Sequence, residues 1–161
     1  MTKEDYQIKD YNMKIYIYIL LVLFCINTYS QNQMKKIINT SNAPAPVGPY
    51  NQAILIDGTL YMSGQVALDV ESKLMVRGTI EEETEKVMQN IMAILEEVNF
   101  TFENVIKTTI FITDMGNFSK INKSYAKFFN EATAPARETV EVSALPLEAR
   151  IEISVIAKYL D

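Results

Sequence analysis

Arg137 stands in the run Pro135-Ala136-Arg137-Glu138-Thr139-Val140-Glu141-Val142, where a proline-stiffened loop leads into an alternating strand. A guanidinium keeps its proton and presents a planar fork of donors that meets a carboxylate or phosphate through two bonds at once. The chain has no histidine and one cysteine, Cys25, so proton transfer falls to carboxylates and hydroxyls. Glu152 can orient or deprotonate a water, and Tyr50, Ser63 and Thr139 can supply hydrogen bonds. Each also has a plainer role. Arg137 can pair with Glu138 or Glu141 at a subunit contact, Glu152 can be a solvated strand residue, Tyr50 can be a packing aromatic, and Ser63 can satisfy a turn.

Standard machinery is missing. The chain contains no GxGxxG, GxxxxGK[ST] or HExxH, and Tyr61-Met62-Ser63-Gly64-Gln65 lacks the glycine that a GxSxG elbow places two residues before its serine. With Cys25 inside an apolar N-terminal run, a disulfide framework, a thiol nucleophile and a Cys/His zinc site are excluded from the remainder. No metal or cofactor is expected. Fifteen basic against twenty acidic residues give a charge of −5, with no Lys/Arg-rich face to neutralise phosphates, so nucleic acid is not expected as a partner.

The elements that must position these groups follow from periodicity. The 161 residues, 48% hydrophobic, suit one domain. Residues 41–52 hold three prolines and a glycine and read as an extended, turning segment. Strands at 53–56 and 60–63 flank Asp57-Gly58, a hairpin signal. Thr79 and Glu82 form a capping box, after which Val87, Ile91, Ile94, Leu95 and Val98 recur at helical spacing. A strand at 105–112 puts Lys107, Thr109 and Phe111 on one face and Ile106, Ile110 and Ile112 on the other. A second helix starts near Asn117, with Phe118, Ile121, Tyr125, Phe128 and Phe129 as its core stripe, and ends before Pro135. Strands at 139–143 and 150–159 complete the order ββαβαββ, an α+β layer with two helices on one sheet face. Thr109, Glu141 and Glu152 are too polar for a sealed core, so the uncovered face is expected to meet partner subunits and hold polar sites between them.

Residues 15–26 are uncharged and mostly aliphatic, follow Met13-Lys14 and precede Asn27-Thr28-Tyr29-Ser30-Gln31. That is short for a bilayer span and suits a signal-peptide core, with Thr28 and Ser30 at cleavage positions. Residues 1–30 are read as a leader, which implies an exported, periplasmic protein without a stable membrane anchor. Bulky Phe24 argues against a lipoprotein site at Cys25. The alternative is translation from Met34, a misassigned upstream extension and a cytoplasmic protein.

Five segments in register carry a resemblance: Asn42-Ala43-Pro44-Ala45-Pro46-Val47-Gly48-Pro49-Tyr50, Ser63-Gly64-Gln65, Lys107-Thr108-Thr109, Pro135-Ala136-Arg137 with Val140-Glu141-Val142, and Ile151-Glu152-Ile153. Across residues 34–161 the chain resembles the RidA (YjgF-type) reactive-intermediate deaminases. The resemblance implies a single domain of chorismate-mutase-like fold, a homotrimer with sites between subunits, and hydrolysis of 2-imino acids and enamines such as 2-aminoacrylate to 2-keto acids and ammonia. It implies that Arg137 binds the substrate carboxylate, that Glu152 positions the attacking water, and that Tyr50 and Ser63 line the pocket. Thr139 stands where many members carry cysteine, and Ala134 where many carry a larger residue. Non-catalytic ligand binding, ribonuclease or translation-inhibitor activity and chaperone-like activity, the last two attributed to some members, are the alternatives.

Overall fold

Asp57 and Gly58 both adopt positive φ, 53° and 68°, the geometry that lets a two-residue turn follow the twist of its strands. They join β2 (Ala53–Ile56) to β3 (Thr59–Val66) as expected. The computed structural model describes residues 3–28 and 34–160 and divides into two compact units, Met1–Met34 and Lys35–Asp161. In the first, α1 (Lys3–Thr28) is a single helix whose side chains from Ile15 to Val22 are all exposed. Among the described residues no helix is long and apolar enough to cross a membrane. Ser30, the second cleavage position considered, and Asp161 lie outside the described residues.

The second unit is a six-stranded sheet in the order β1-β2-β3-β6-β4-β5 with two helices on one face. β1 (Lys36–Ile38) is a strand that alternation did not reveal, because three residues are too few to show a period. β4 (Val105–Ile112) and β6 (Ile151–Lys158) pair antiparallel at the centre, and β5 (Ala136–Glu141) runs parallel to β4 along the edge. α2 (Ile80–Glu96) has the expected capping box, with Thr79 Oγ1 accepting from the Glu82 amide and the Glu82 carboxylate accepting from the Thr79 amide. Its stripe of Val87, Met88, Ile91, Ile94 and Leu95 is fully buried against β6 residues Ile151, Ile153, Val155 and Ala157.

α3 (Phe118–Tyr125) gives way to a turn of 3-10 helix at Ala126–Phe128. Ile121 and Tyr125 are buried, but Phe118 is 38% exposed and is not core as its spacing suggested.

Two bulges set which side chains face where. In β4, Val105 pairs with Ala157 and Lys107 with Ile156, so Ile106 is extra. Ile106 therefore leaves the core face, to which strict alternation assigns it, and is 43% exposed, while Val105 is buried. In β3 the register jumps between Met62 and Gln65, leaving Ser63 and Gly64 opposite one residue of β6. β5 begins at Ala136, three residues before the expected strand. Arg137 is thus a strand residue, paired with buried Thr108 on the helix-bearing face, and Thr139 lies beside Ile110 on the same face. Glu141 also follows that parity, opposite Ile112, where its carboxylate accepts from the Met115 amide at 2.6 Å. It does not belong to the open face. That face holds Thr109 and Glu152 as expected, together with Lys107 and Glu138, which form an ion pair.

Candidate functional site

Gln52 organises the rim of the first hollow. Its buried amide nitrogen donates to the carbonyls of Thr40, Ala43 and Pro44 at 2.9–3.0 Å, and its oxygen accepts from the Thr40 amide at 2.6 Å. A proline-rich segment has few amide donors of its own, so one side chain satisfying three of its carbonyls holds it in place. That segment, the β3 bulge and the turn before β6 enclose a cavity of about 420 Å³ containing Tyr50, Ser63, Gly64 and Glu152. The Tyr50 hydroxyl accepts from the Val47 amide at 3.3 Å. Ser63 Oγ donates to the Asn51 carbonyl at 2.7 Å, which leaves its lone pairs facing other donors.

Glu152 lies directly over Gly64. A Cβ on residue 64 would come within 1.9 Å of Glu152 Oε1, so only glycine admits the carboxylate there. Burial raises the Glu152 pKa above the ordinary glutamate range, and the carboxylate has no ion-pair partner among the described residues. Such a group is a stronger proton acceptor than a solvated carboxylate.

Arg137 occupies a second hollow, lined by Asn122, Tyr125, Phe129, Ala134 and Pro135. Its Nη1 donates to Asn122 Oδ1 at 2.7 Å, and its guanidinium carbon lies 5.1 Å from the Tyr125 ring centre and 5.9 Å from that of Phe118. It makes no ion pair with Glu138 or Glu141; Glu138 is held by Lys107 and by Thr109, and its pKa is lowered mainly by the Lys107 contact. Tyr125, which supports the arginine from below, has its pKa raised mainly by burial while its hydroxyl meets Thr108 Oγ1 at 2.9 Å. One face of α3 thus holds an exposed guanidinium through Asn122 and the Tyr125 ring. Tyr50, Ser63 and Glu152 are therefore together, and Arg137 with Thr139 is on the opposite face of the same sheet. Among the described residues no group of three His, Cys, Asp or Glu side chains could hold a metal ion.

The family model for endoribonuclease L-PSP matches residues 40–159. The chain belongs to this family, the Rid or YjgF-type proteins. A RutC family protein of Synechocystis is 48% identical over 123 residues, 76% of this chain and 95% of that one. A mouse protein named 2-iminobutanoate/2-iminopropanoate deaminase is 42% identical over 124 residues, 77% of this chain and 91% of its own length. The crystal structure of a conserved Rid family protein from Yersinia pestis superposes with a TM-score of 0.76 at 46% identity, covering 78% of this chain and all of the other. Both hollows of the Rid domain lie inside the matched span. Sequence reasoning missed Asn122 and Gln52 in it. Asn122 precedes no recognisable motif, and the only available signal was its helical spacing, three residues before Tyr125, on the face that packs toward β5.

Proposed function

We propose that this Rid protein is a hydrolytic deaminase of 2-imino acids and their enamine tautomers, acting as a homotrimer whose sites lie between subunits. One observation carries the reading: the anion-binding Arg137 and the proton-accepting Glu152 occupy separate hollows on opposite faces of one sheet. A small substrate meets both only where a second copy brings its Arg137 hollow to the first copy's Glu152 cavity. Interface sites of this kind are a natural product of closed symmetry, since one contact repeated around a three-fold axis makes three equal sites.

The chemistry asks little of the protein. A protonated imine carbon is already electrophilic, so holding the carboxylate and placing one water supplies most of the rate. Arg137 takes the substrate carboxylate in a two-bond grip. The water beside Glu152 adds to the imine carbon as its proton passes to the carboxylate. Ser63, whose hydrogen is committed to Asn51, accepts from the nitrogen, while the Tyr50 and Thr139 hydroxyls are free to bond the developing alcohol or the carboxylate. Glu152 then returns that proton to nitrogen and takes up the hydroxyl proton as the C–N bond breaks, so the carbonyl of the 2-keto acid forms and the departing ammonia carries the last proton away as ammonium. No metal or redox partner enters this balance. The name carried by the mouse relative supports the substrate class.

The test couples the purified protein to an amino-acid oxidase that generates the imino acid and times keto-acid release. Arg137→Ala is expected to lose on the order of a hundredfold in kcat/KM, the scale of a single preorganised charge contact. Equal rates for wild type and variant would remove the clamp.

The uncharged half of α1 supports reading residues 1–30 as an export leader, with the mature protein acting outside the cytosol on imines released by amino-acid oxidation. N-terminal sequencing of protein recovered from cells tests this. A first residue near position 31 fits the leader, and a start at Met34 in cytosolic protein overturns it.

A further inference from the structure

Leu147 and Glu148 both adopt left-handed backbone, with φ of 54° and 55°. Among the described residues the other non-glycine positions with positive φ are Asp57 in the hairpin turn, Asn99 after α2, and Lys73 in a surface turn. Asp and Asn tolerate that region, whereas a leucine followed by a glutamate does not settle there without external support.

The support is Arg77. Its Nη2 donates to the Leu147 carbonyl at 2.8 Å and its Nη1 to the Glu148 carbonyl at 2.7 Å. In helical backbone of either hand successive carbonyls point the same way, so a left-handed pair offers two acceptors side by side, matched to one guanidinium fork. Extended backbone would point them apart. Arg77 itself precedes Gly78 and the Thr79 cap of α2, which anchors the clamp to the helix that packs across the sheet. The Ala149 amide closes the turn on the Pro146 carbonyl at 3.0 Å. Strain maintained this way clusters where a side chain has to be presented in one position.

The presented side chain is Leu147. It is 50% exposed and, with Pro146, lines the Glu152 cavity. Ser63, Gln65 and Glu152 bring polar groups to the cavity from β3 and β6, and Tyr50 and Gln52 bring theirs from the proline-rich segment, while Val47, Leu68, Pro146 and Leu147 supply apolar wall. We infer that Leu147 is the residue that selects the substrate by its side chain, closing the cavity to all but short aliphatic 2-imino acids, and that Arg77 is its positioning residue. This rests on the deaminase reading for the reaction, though the geometry of the wall stands independently of it.

The experiment measures kcat/KM for oxidase-generated imino acids carrying methyl, ethyl, isobutyl and benzyl side chains. Wild type is expected to favour methyl and ethyl. Leu147→Ala should raise the isobutyl-to-ethyl ratio about tenfold, the discrimination a few methylenes of pocket wall provide. Leu147→Met, of similar volume, should leave it within about twofold. Leu147→Gly removes the same wall and relieves the backbone, so it folds wherever the alanine variant does not. Arg77→Ala should shift the ratio in the same direction by about threefold, through loss of the clamp. In parallel, calorimetric binding of the 2-oxo acids with the same four side chains should show the same reordering without catalysis. Unchanged ratios in an active protein would overturn the wall and leave the deaminase standing. Imine hydrolysis no faster than buffer, with the oxo-acid order still shifted in Leu147→Ala, would overturn the deaminase and leave the wall. Loss of the oligomer in Leu147→Gly would assign the loop to subunit contact and overturn the inference.

Discussion

The Glu152 carboxyl is half-buried beside Gly64, without an ion-pair partner among the described residues, and burial raises its pKa. Two outcomes follow for this one residue. First, kcat/KM should rise with pH through an apparent pKa above that of an ordinary glutamate, because the deprotonated form is the one that accepts the water's proton. Second, a raised folded-state pKa contributes stability below the unfolded value that is lost as pH rises through the folded one. At neutral pH the carboxylate is therefore a burden on the fold, and Glu152→Gln should raise Tm while abolishing turnover; thermal unfolding followed by circular dichroism checks the first half. Arg137 presents the complementary case. Its aim depends on Asn122 and on the Tyr125 ring, so Asn122→Ala should raise KM roughly tenfold with kcat less affected, the signature of a misdirected carboxylate grip. Steady-state kinetics with the oxidase couple distinguishes this from general destabilisation, which would lower active protein without moving KM.

At the scale of elements, the junction that matters is α2 against the start of β6. Glu83 on α2 is 1% exposed and its Oε1 accepts from Arg150 at 2.6–3.0 Å, while Oε2 has no hydrogen-bond partner. Arg150 also donates to the Gly78 carbonyl at 2.6 Å, and its pKa is raised by the Glu83 contact. Arg150 immediately precedes the strand that carries Glu152 two residues later. Arg150→Ala strands a buried carboxylate and should cost roughly 3 kcal/mol in denaturant unfolding, most of it recovered by adding Glu83→Gln. At the helix start, Thr79→Ala removes the cap and should cost about 1 kcal/mol. Both bulges also belong to this scale. The Ser63-Gly64 bulge opens room for Glu152, so Gly64→Ala should displace that carboxylate and remove activity even in folded protein. Alternation along a single strand does not reveal a bulge, since it is defined by the partner strand.

For the molecule as a whole, the separation of Arg137 from Glu152 supports a composite site, and mixing inactive subunits tests it. Arg137→Ala chains, strongly impaired alone, and Glu152→Gln chains, inactive alone, should regain activity when unfolded together and refolded. If each site draws its arginine from one subunit and its glutamate from the next, random assembly restores about one site in four. Absence of recovery, with mixed oligomers verified by mass, would place both groups within one subunit's site. The open face, with its Lys107–Glu138 pair and the Thr109 hydroxyl, is the surface that assembly would cover.

The chain's own order of residues determined the types and succession of the main elements, the Thr79–Glu82 cap, the Asp57-Gly58 hairpin and the identity of the groups able to do chemistry. Those signals are local: a period, a cap or a turn is written within a few neighbouring residues. Tertiary structure alone decided that β1 exists, that β5 starts early enough to make Arg137 a strand residue, that Ile106 leaves the core, and that Glu141 turns to the face opposite Glu152. Strand register is set by hydrogen bonds between distant segments, and a slip of one residue exchanges the two faces of a sheet. For that reason Arg137 and Glu152 were legible as chemistry in the sequence, while their placement on opposite sides of one sheet was not.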